Sequence, residues 1–248
     1  MHELAVVILA AGQGKRMRSN LPKVLHPLGG QPMIKHVLDT ASAVNPSRLV
    51  MVVGQGAEQV QAALDENITF VEQAQRMGTG HAVMQAQAVL DGSYNVLVLY
   101  GDMPLLRPST LQALRERYRK GNSPLAMLIV TDDDSRGFGR VVFDTAGRVQ
   151  AIVEEAECTS DQLAIRELNA GVYCFEGQWL WSHLPQLPLH AGKGDAGEYF
   201  LTDLVEIAVA QGFEISYLIT EDSSETLGIN TPEHLAEAEA MLGRRQDT

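Results

Sequence analysis

Short, almost continuous apolar runs alternate along this chain with stretches of helical periodicity. Four runs of strand length lie at Leu4–Leu9, Leu49–Val53, Val96–Tyr100 and Leu125–Val130. A strand that is apolar at every position has no face left for solvent, which is typical of parallel sheets covered by helices on both sides. The helical stretches lie at 33–44, 57–64, 80–90 and 109–119. This alternation predicts an α/β fold around a mainly parallel sheet.

The second half of the chain has a less regular pattern. Two alternating strands flank a turn at Asp144–Gly147, and further strands are predicted at 170–175 and 214–219. Residues 197–212 indicate a loop that leads into a helix. The last helix is predicted to have Thr231 as its N-cap and Pro232 as its first residue, and to end at Gly243.

Length and composition exclude several classes of protein. The 248 residues contain no apolar run of 18, no signal-peptide pattern at the N-terminus, and only two cysteines, so we expect a cytoplasmic chain without membrane segments or disulfides. The formal net charge of −12 argues against nucleic-acid binding and against a role at membrane surfaces.

The first forty residues carry the opposite charge. No acidic residue occurs between Glu3 and Asp39, whereas five basic residues do: Lys15, Arg16, Arg18, Lys23 and Lys35. Two explanations are open at this point. The segment either binds a small anionic ligand or presents a solvated basic face, and charge alone does not separate the two.

A glycine-containing loop, "LAAGQGKRM" (9–17), follows the first strand. Ligands of open parallel sheets bind beyond the carboxyl ends of the strands, and small residues there let backbone N–H groups approach phosphates. The loop is not a Walker A motif, because Leu9 and Arg16 stand where glycine and Ser or Thr are needed. It also lacks the third glycine of the dinucleotide fingerprint, since position 17 is Met. Clustered cations beside backbone amides suit a triphosphate.

This loop, followed by "LPKVLHPLGGQPMIKHVL" (21–38), resembles the signature of sugar-1-phosphate nucleotidylyltransferases. Further motifs resemble, in order, the uridylyltransferase domain of the bifunctional N-acetylglucosamine-1-phosphate uridylyltransferase/glucosamine-1-phosphate acetyltransferases. They are "EQAQRMGTGHAV" (72–83), "VLVLYGDMPLL" (96–106), "RGFGRVV" (136–142), "AIVEEAE" (151–157), "ELNAGVY" (167–173), "GEYFLTDLV" (197–205) and "LGINTPEHL" (227–235).

The resemblance implies a Rossmann-like, three-layer nucleotide-diphospho-sugar transferase fold with a mainly parallel mixed sheet and a smaller β-rich sugar-binding lobe. The nucleotidyltransferase domain would span 1–230, with the lobe inserted within about 132–200, and 231–248 would form a C-terminal helix and tail. It also implies that the chain transfers UMP from UTP to N-acetyl-α-D-glucosamine 1-phosphate with Mg²⁺, supplying UDP-N-acetylglucosamine for peptidoglycan and the cell wall.

By the same resemblance, Arg16 and Lys23 contact the UTP phosphates and stabilise the transition state, although on the residues alone they could be surface charges. The nucleotide-binding residues would be Leu9, Ala10, Ala11, Gly12, Gln73, Gly78 and Thr79; Thr79 taken alone is a helix N-cap. Asp102 and Asn230 would be the Mg²⁺ ligands, because oxygen atoms suit this hard cation; without the family both are turn residues.

The resemblance assigns the sugar 1-phosphate to Tyr100, Gly101, Gly139, Glu154, Asn169, Phe200 and Thr202. Glu154 and Asn169 could otherwise be strand-surface residues. The sequence departs from the family at two places. Phe200 has no hydroxyl where the family often has tyrosine, and Glu155–Glu157 lacks the basic residue that is common there.

Other interpretations are open beside this one. The chain could use another sugar 1-phosphate, or it could be a non-catalytic nucleotide-sugar sensor, although a sensor does not need the metal ligands. The hexapeptide repeats of the family's acetyltransferase domain do not occur in these residues, so acetyl transfer and its trimer are not expected from this chain. Whether it is an excised domain or a stand-alone enzyme, and its oligomeric state, are open.

Overall fold

The computed structural model describes residues 2–64, 67–191, 197–220 and 222–246. Its strands are β1 (Glu3–Ala10), β2 (Pro27–Leu28), β3 (Gln31–Pro32), β4 (Arg48–Val53), β5 (Thr69–Glu72), β6 (Tyr94–Tyr100), β7 (Leu125–Thr131), β8 (Arg140–Phe143), β9 (Val149–Val153), β10 (Glu167–Glu176) and β11 (Ser216–Thr220). Its α-helices are α1 (Met33–Ser42), α2 (Ala57–Ala62), α3 (Gly78–Gln85), α4 (Pro108–Lys120), α5 (Ser160–Leu163), α6 (Gly177–His183), α7 (Asp203–Ala210) and α8 (Pro232–Gln246). Residues 192–196 of the predicted lobe and 247–248 of the predicted tail lie outside this described part.

The central sheet has the strand order β11-β7-β10-β6-β1-β4-β5, and a hairpin of β8 and β9 pairs with β10. All neighbouring pairs in that order are parallel except those of β10, which runs antiparallel to both β6 and β7. The prediction of an α/β fold with a mainly parallel sheet is confirmed.

Helices cover both faces of the sheet because the apolar strands have no polar face. Val6 and Ile8 of β1 pack into one cluster with residues of α1, α4 and α8, while Val7 and Leu9 pack into a second cluster with residues of α3, α6 and α7. The result is the predicted three-layer arrangement. Within the described part of the chain, no helix combines the length and apolarity needed to span a bilayer.

Most predicted elements lie within a few residues of their observed bounds, but the end of the last helix was predicted wrongly. Gly243 does not terminate α8, which continues to Gln246. Arg245 explains the difference, because its Nη1 donates to the Leu105 carbonyl at 2.6 Å and holds the extra turn against the core. The predicted N-cap is confirmed, since Thr231 Oγ1 accepts from His234 N at 3.3 Å.

Candidate active site

A cleft of about 490 Å³ opens at the carboxyl ends of β1 and β6. Its walls come from the glycine loop, the start of α3, the segment between β7 and β8, strand β10, and the segments before α7 and α8. All but two of the eighteen predicted site residues line it: Leu9, Ala10, Ala11, Gly12, Lys23, Gln73, Gly78, Thr79, Tyr100, Asp102, Gly139, Glu154, Asn169, Phe200, Thr202 and Asn230.

Arg16 and Gly101 are the two predicted residues that do not line the cleft. Arg16 lies in the 3-10 turn Lys15–Met17 after the glycine loop, and its side chain is exposed. Gly101 packs between strand ends instead: its N–H donates to the Leu9 carbonyl at 2.9 Å, and an added Cβ would lie 2.9 Å from Ile34 Cδ1. Gly101 therefore joins β1 to β6, and its contact with the sugar stays a prediction.

The glycine loop packs directly on Lys23. Gly14 has φ +61°, and an added Cβ would lie 2.6 Å from Lys23 Cβ. Only glycine provides both the left-handed backbone and the space. The loop therefore fixes the lysine that the sequence pattern associated with phosphate.

Lys23 brings Asp102 and Asn230 together. Its Nζ is ion-paired with Asp102 Oδ2 and donates to Asn230 Oδ1 at 3.1 Å. The backbone adds a further link, because Ile229 N donates to the Asp102 carbonyl at 2.8 Å. A carboxylate oxygen and an amide oxygen thus converge on one cationic atom, which is the donor set that a hard divalent cation prefers.

The described residues contain no group of three His, Cys, Asp or Glu side chains that could hold a metal. Asp102 and Asn230 still fit a magnesium ion. Mg²⁺ usually takes only one or two protein ligands and completes its shell with water and substrate phosphates.

Gln73 and Thr79 line the cleft beside the start of α3. The buried Gln73 amide donates to the Gly78 carbonyl at 3.0 Å and lies 3.1 Å from His81 Nδ1. Burial lowers the pKa of His81, which favours the neutral ring. These contacts hold the Gln73 side chain in one orientation.

Thr79 is not the N-cap of α3, because Met77 occupies that position. Its hydroxyl instead accepts a hydrogen bond from Leu201 N at 3.0 Å. Burial, together with the charges of Glu154 and Asp102, raises the pKa of the nearby Tyr100 hydroxyl, which forms a hydrogen bond with Thr79. The threonine therefore ties α3 to the segment that precedes α7.

Glu154 and Thr202 form another polar part of the cleft lining. Thr202 Oγ1 donates to Glu154 Oε1 at 3.0 Å. Burial raises the pKa of Glu154, and the charges of Glu157 and Asp203 add to the effect, whereas the Thr202 hydrogen bond opposes it. A partly desolvated carboxylate in this position can accept hydrogen bonds from a polyhydroxylated ligand.

Asn169 and Phe200 also line the cleft. Asn169 Oδ1 accepts hydrogen bonds from Gly171 N at 3.0 Å and Tyr173 Oη at 2.8 Å, across a break in the register of β10 with β7. The Phe200 ring packs against His190 with 4.7 Å between centroids. His190 Nε2 in turn hydrogen-bonds Asp203 Oδ2 at 2.8 Å.

Sequence reasoning missed several residues of the lining: Val24, Arg76, Ala82, Met103, Gly137, Phe138, Ala170, Gly171, Glu198 and Gly228. Each lies in, or directly beside, a motif that the resemblance had already identified. Arg76 is the notable omission, because it adds an exposed cation near Gln73 and Gly78. Its position within the motif "QAQRMGTGHA" could have identified Arg76 as a residue of the cleft.

The chain is similar to curated proteins named bifunctional protein GlmU. It is 50% identical to the protein of Burkholderia lata over 240 residues, which are 96% of this chain and 52% of that protein. Identity is also 50% for Burkholderia multivorans and 47% for Paraburkholderia phymatum, with the same coverage. The chain thus spans about half the length of the curated relatives that it matches.

A solved structure has the same fold. The crystal structure of UDP-glucose pyrophosphorylase complexed with UDP-glucose aligns over 98% of this chain and 99% of that one, with a TM-score of 0.79 at 17% identity. A likeness at this identity concerns the fold alone. The model of the MobA-like NTP transferase domain matches residues 6–208, which is most of the sequence. The chain therefore belongs to the family of MobA-like NTP transferase domains.

Proposed function

We propose that this chain transfers the uridylyl group of UTP to N-acetyl-α-D-glucosamine 1-phosphate, releasing pyrophosphate. The observation that carries the proposal is the convergence of Lys23, Asp102 and Asn230 at the carboxyl edge of the sheet. They line the same cleft as the polar residues predicted to bind the nucleotide and the sugar. Its identity of about 50% to the GlmU proteins supports the choice of substrates.

A divalent metal, Mg²⁺ in this proposal, would be held by Asp102 and Asn230. When bound, it would neutralise phosphate oxygens and orient the triphosphate for in-line displacement. A bound metal would take up the Asp102 and Asn230 oxygens that Lys23 contacts here. The Lys23 ammonium group would then pair with a phosphate oxygen.

The transfer needs positioning more than it needs acid–base chemistry. An oxygen of the sugar phosphate forms a bond to the α-phosphorus of UTP, and the bond from that phosphorus to the bridging oxygen breaks as pyrophosphate leaves. A phosphate monoester is largely dianionic at neutral pH, because its second pKa is about 6, so no general base is required. Lys23 stabilises the charge that builds up on the phosphates, and Arg16 joins it if its turn closes over bound UTP.

Two groups of polar residues in the cleft would recognise the two substrates. Gln73, Gly78 and Thr79 would contact uracil, where a polar pocket of fixed geometry rejects a base that leaves its groups unpaired. Glu154, Asn169 and Thr202 would accept and donate hydrogen bonds to the sugar hydroxyl and acetamido groups. Phe200 contributes an apolar wall without a hydroxyl.

Small-molecule substrates are the only partners that we propose, with no nucleic acid and no membrane. The cytoplasmic location and the division into a nucleotidyltransferase domain, an inserted sugar lobe and a C-terminal helix remain predictions.

The test is release of pyrophosphate from UTP with a panel of sugar 1-phosphates, with and without EDTA. We expect Mg²⁺-dependent release that is fastest with N-acetylglucosamine 1-phosphate. Release with a different sugar 1-phosphate would support the proposed nucleotidyl transfer but would show that the acceptor sugar is a different one. No release with any sugar or nucleotide, from folded protein that binds UTP, would indicate a nucleotide-sugar sensor instead.

A further inference from the structure

A buried carboxylate that lies outside the cleft has no part in the chemistry above. Glu225 is 3% exposed and lies in the 3-10 turn Ser223–Thr226, before the segment that carries Asn230. A buried charge without partners is costly, so the position of this carboxylate is set by the groups around it.

Glu225 caps a helix from another segment. Its Oε2 accepts hydrogen bonds from Arg107 N at 3.1 Å and from Thr110 Oγ1 at 2.6 Å. Arg107 is the N-cap of α4 and provides no side-chain cap of its own. The carboxylate therefore satisfies one unpaired N–H group, that of Arg107, and places a negative charge at the positive end of α4.

Neighbouring side chains reinforce this contact. Arg107 is ion-paired with Asp222, and its Nε lies 3.7 Å from Glu225 Oε1. Arg245, near the end of α8, donates to Ser224 Oγ at 3.0 Å as well as to the Leu105 carbonyl. We refer to Arg107, Asp222, Ser224, Glu225 and Arg245 as the interloop clamp.

The interloop clamp joins the two segments that hold the candidate metal ligands. Asp102 precedes Arg107 by five residues, and Asn230 follows Glu225 by five. At the candidate ligands, the two segments are linked again by the hydrogen bond from Ile229 N to the Asp102 carbonyl. Leu105 and Leu227, one from each segment, are buried in the same apolar cluster.

We propose that Glu225 is a positioning residue, which holds Asp102 Oδ2 and Asn230 Oδ1 at the separation that one divalent cation needs. This inference rests on the metal site of the proposed function. Glu225 acts only through the backbone of the two segments. Its loss therefore lets the two oxygens move apart and weakens metal binding, without removing a group that touches substrate.

The experiment measures Mn²⁺ binding to the whole chain by the electron paramagnetic resonance signal of free Mn²⁺. We expect Glu225→Ala to raise the Kd about 10-fold or more, in the range typical for groups that orient metal ligands. Glu225→Gln retains an acceptor oxygen for Arg107 N and is expected to restore most of the affinity. At saturating Mg²⁺ the kcat of Glu225→Ala should approach that of wild type, while the half-saturating Mg²⁺ concentration rises.

Asp144→Ala is the matched control. Asp144 also accepts backbone N–H groups, from Ala146 at 2.9 Å and Arg148 at 2.8 Å, but in the turn between β8 and β9. Its removal should lower stability without changing the Kd for Mn²⁺. If Glu225→Ala does not fold, Thr110→Val takes its place, because it removes one hydrogen bond from the same carboxylate; we then expect a Kd at least 3-fold higher.

Asp102→Ala distinguishes a failure of the positioning role of Glu225 from a failure of the metal site itself. If Asp102→Ala loses Mn²⁺ while Glu225→Ala and Thr110→Val bind within twofold of wild type, the positioning role is wrong and the metal site stands. If Asp102→Ala binds Mn²⁺ as wild type does, the metal site of the proposed function is wrong, and the inference fails with it.

Discussion

Replacing Gly171 by alanine tests the packing that forms the floor of the cleft. Gly171 has φ +74° at the irregular point of β10, between Asn169 and Tyr173. An added Cβ would lie 2.4 Å from Tyr100 Cε2 and 3.1 Å from Cδ2, whereas ordinary carbon–carbon contacts are about 3.5–4.0 Å. The Tyr100 ring must therefore move by about 1 Å.

The cost has two parts. A residue with a side chain at a left-handed position costs about 1–2 kcal/mol, and overpacking costs about 1–3 kcal/mol more. Together they predict a loss of about 2–5 kcal/mol. For a chain of this size, 1 kcal/mol changes Tm by about 2–4 °C, so Tm should fall by roughly 4–20 °C.

Gly147→Ala is the control, because Gly147 has nearly the same backbone angle, φ +78°, but nothing within 4 Å of an added Cβ. It should lose only the backbone part, roughly 2–8 °C in Tm. The assay is thermal and urea unfolding of both variants, followed by KM for the sugar 1-phosphate. We expect KM to rise only for Gly171→Ala, since Tyr100 lines the cleft. Equal destabilisation by the two variants would refute the packing argument.

Three further predictions follow from the site. Burial raises the pKa of Glu154 above its ordinary 4.5, so the native state holds that proton more tightly than the unfolded chain does. Wild-type stability therefore falls as pH rises through the interval between the pKa of the unfolded chain and the higher pKa of the native state. The Tm of Glu154→Gln minus that of wild type should therefore grow over the same interval, and a difference independent of pH would contradict this. Thr79→Val leaves Leu201 N without its acceptor, which should cost about 1–3 kcal/mol and raise KM for UTP, whereas Thr79→Ser should restore both; unchanged unfolding of the valine variant would count against the contact. Chelation by EDTA should stop pyrophosphate release and Mg²⁺ should restore it, so activity that persists in EDTA would exclude the metal.

The layers of the fold could be predicted because the burial of a strand on both faces can be read from its own residues. Leu4–Leu9 is apolar on both faces, and this alone requires helices above and below the sheet. The position of β10 could not be predicted in the same way. Its periodicity shows a strand, but its antiparallel insertion between β6 and β7 depends on contacts between distant segments.

The same limit applies to the site. Gly14 and Lys23 belong to motifs that are adjacent in the sequence, so a shared phosphate-binding role could be predicted for this segment. Glu225 was not predicted, because a carboxylate after "EDSS" resembles any turn residue until the structure shows that it caps α4. Gly243 misled the prediction of the end of α8, since the contact of Arg245 with Leu105 overrides the local preference for glycine at a helix end.

The distance along the chain between Lys23 and Asn230 has a consequence for biosynthesis. These partners are separated by 207 residues, so the loop that carries Lys23 cannot form this contact until Asn230 has emerged from the ribosome. At roughly 5–20 residues per second, that interval is about 10–40 s. During it, the β6–β7 gap that β10 later fills exposes strand edges, which are prone to wrong pairing. A nascent chain cannot bring Lys23 and Asn230 together before residue 230 has emerged, and products truncated before that point should lack the candidate site and be prone to aggregation.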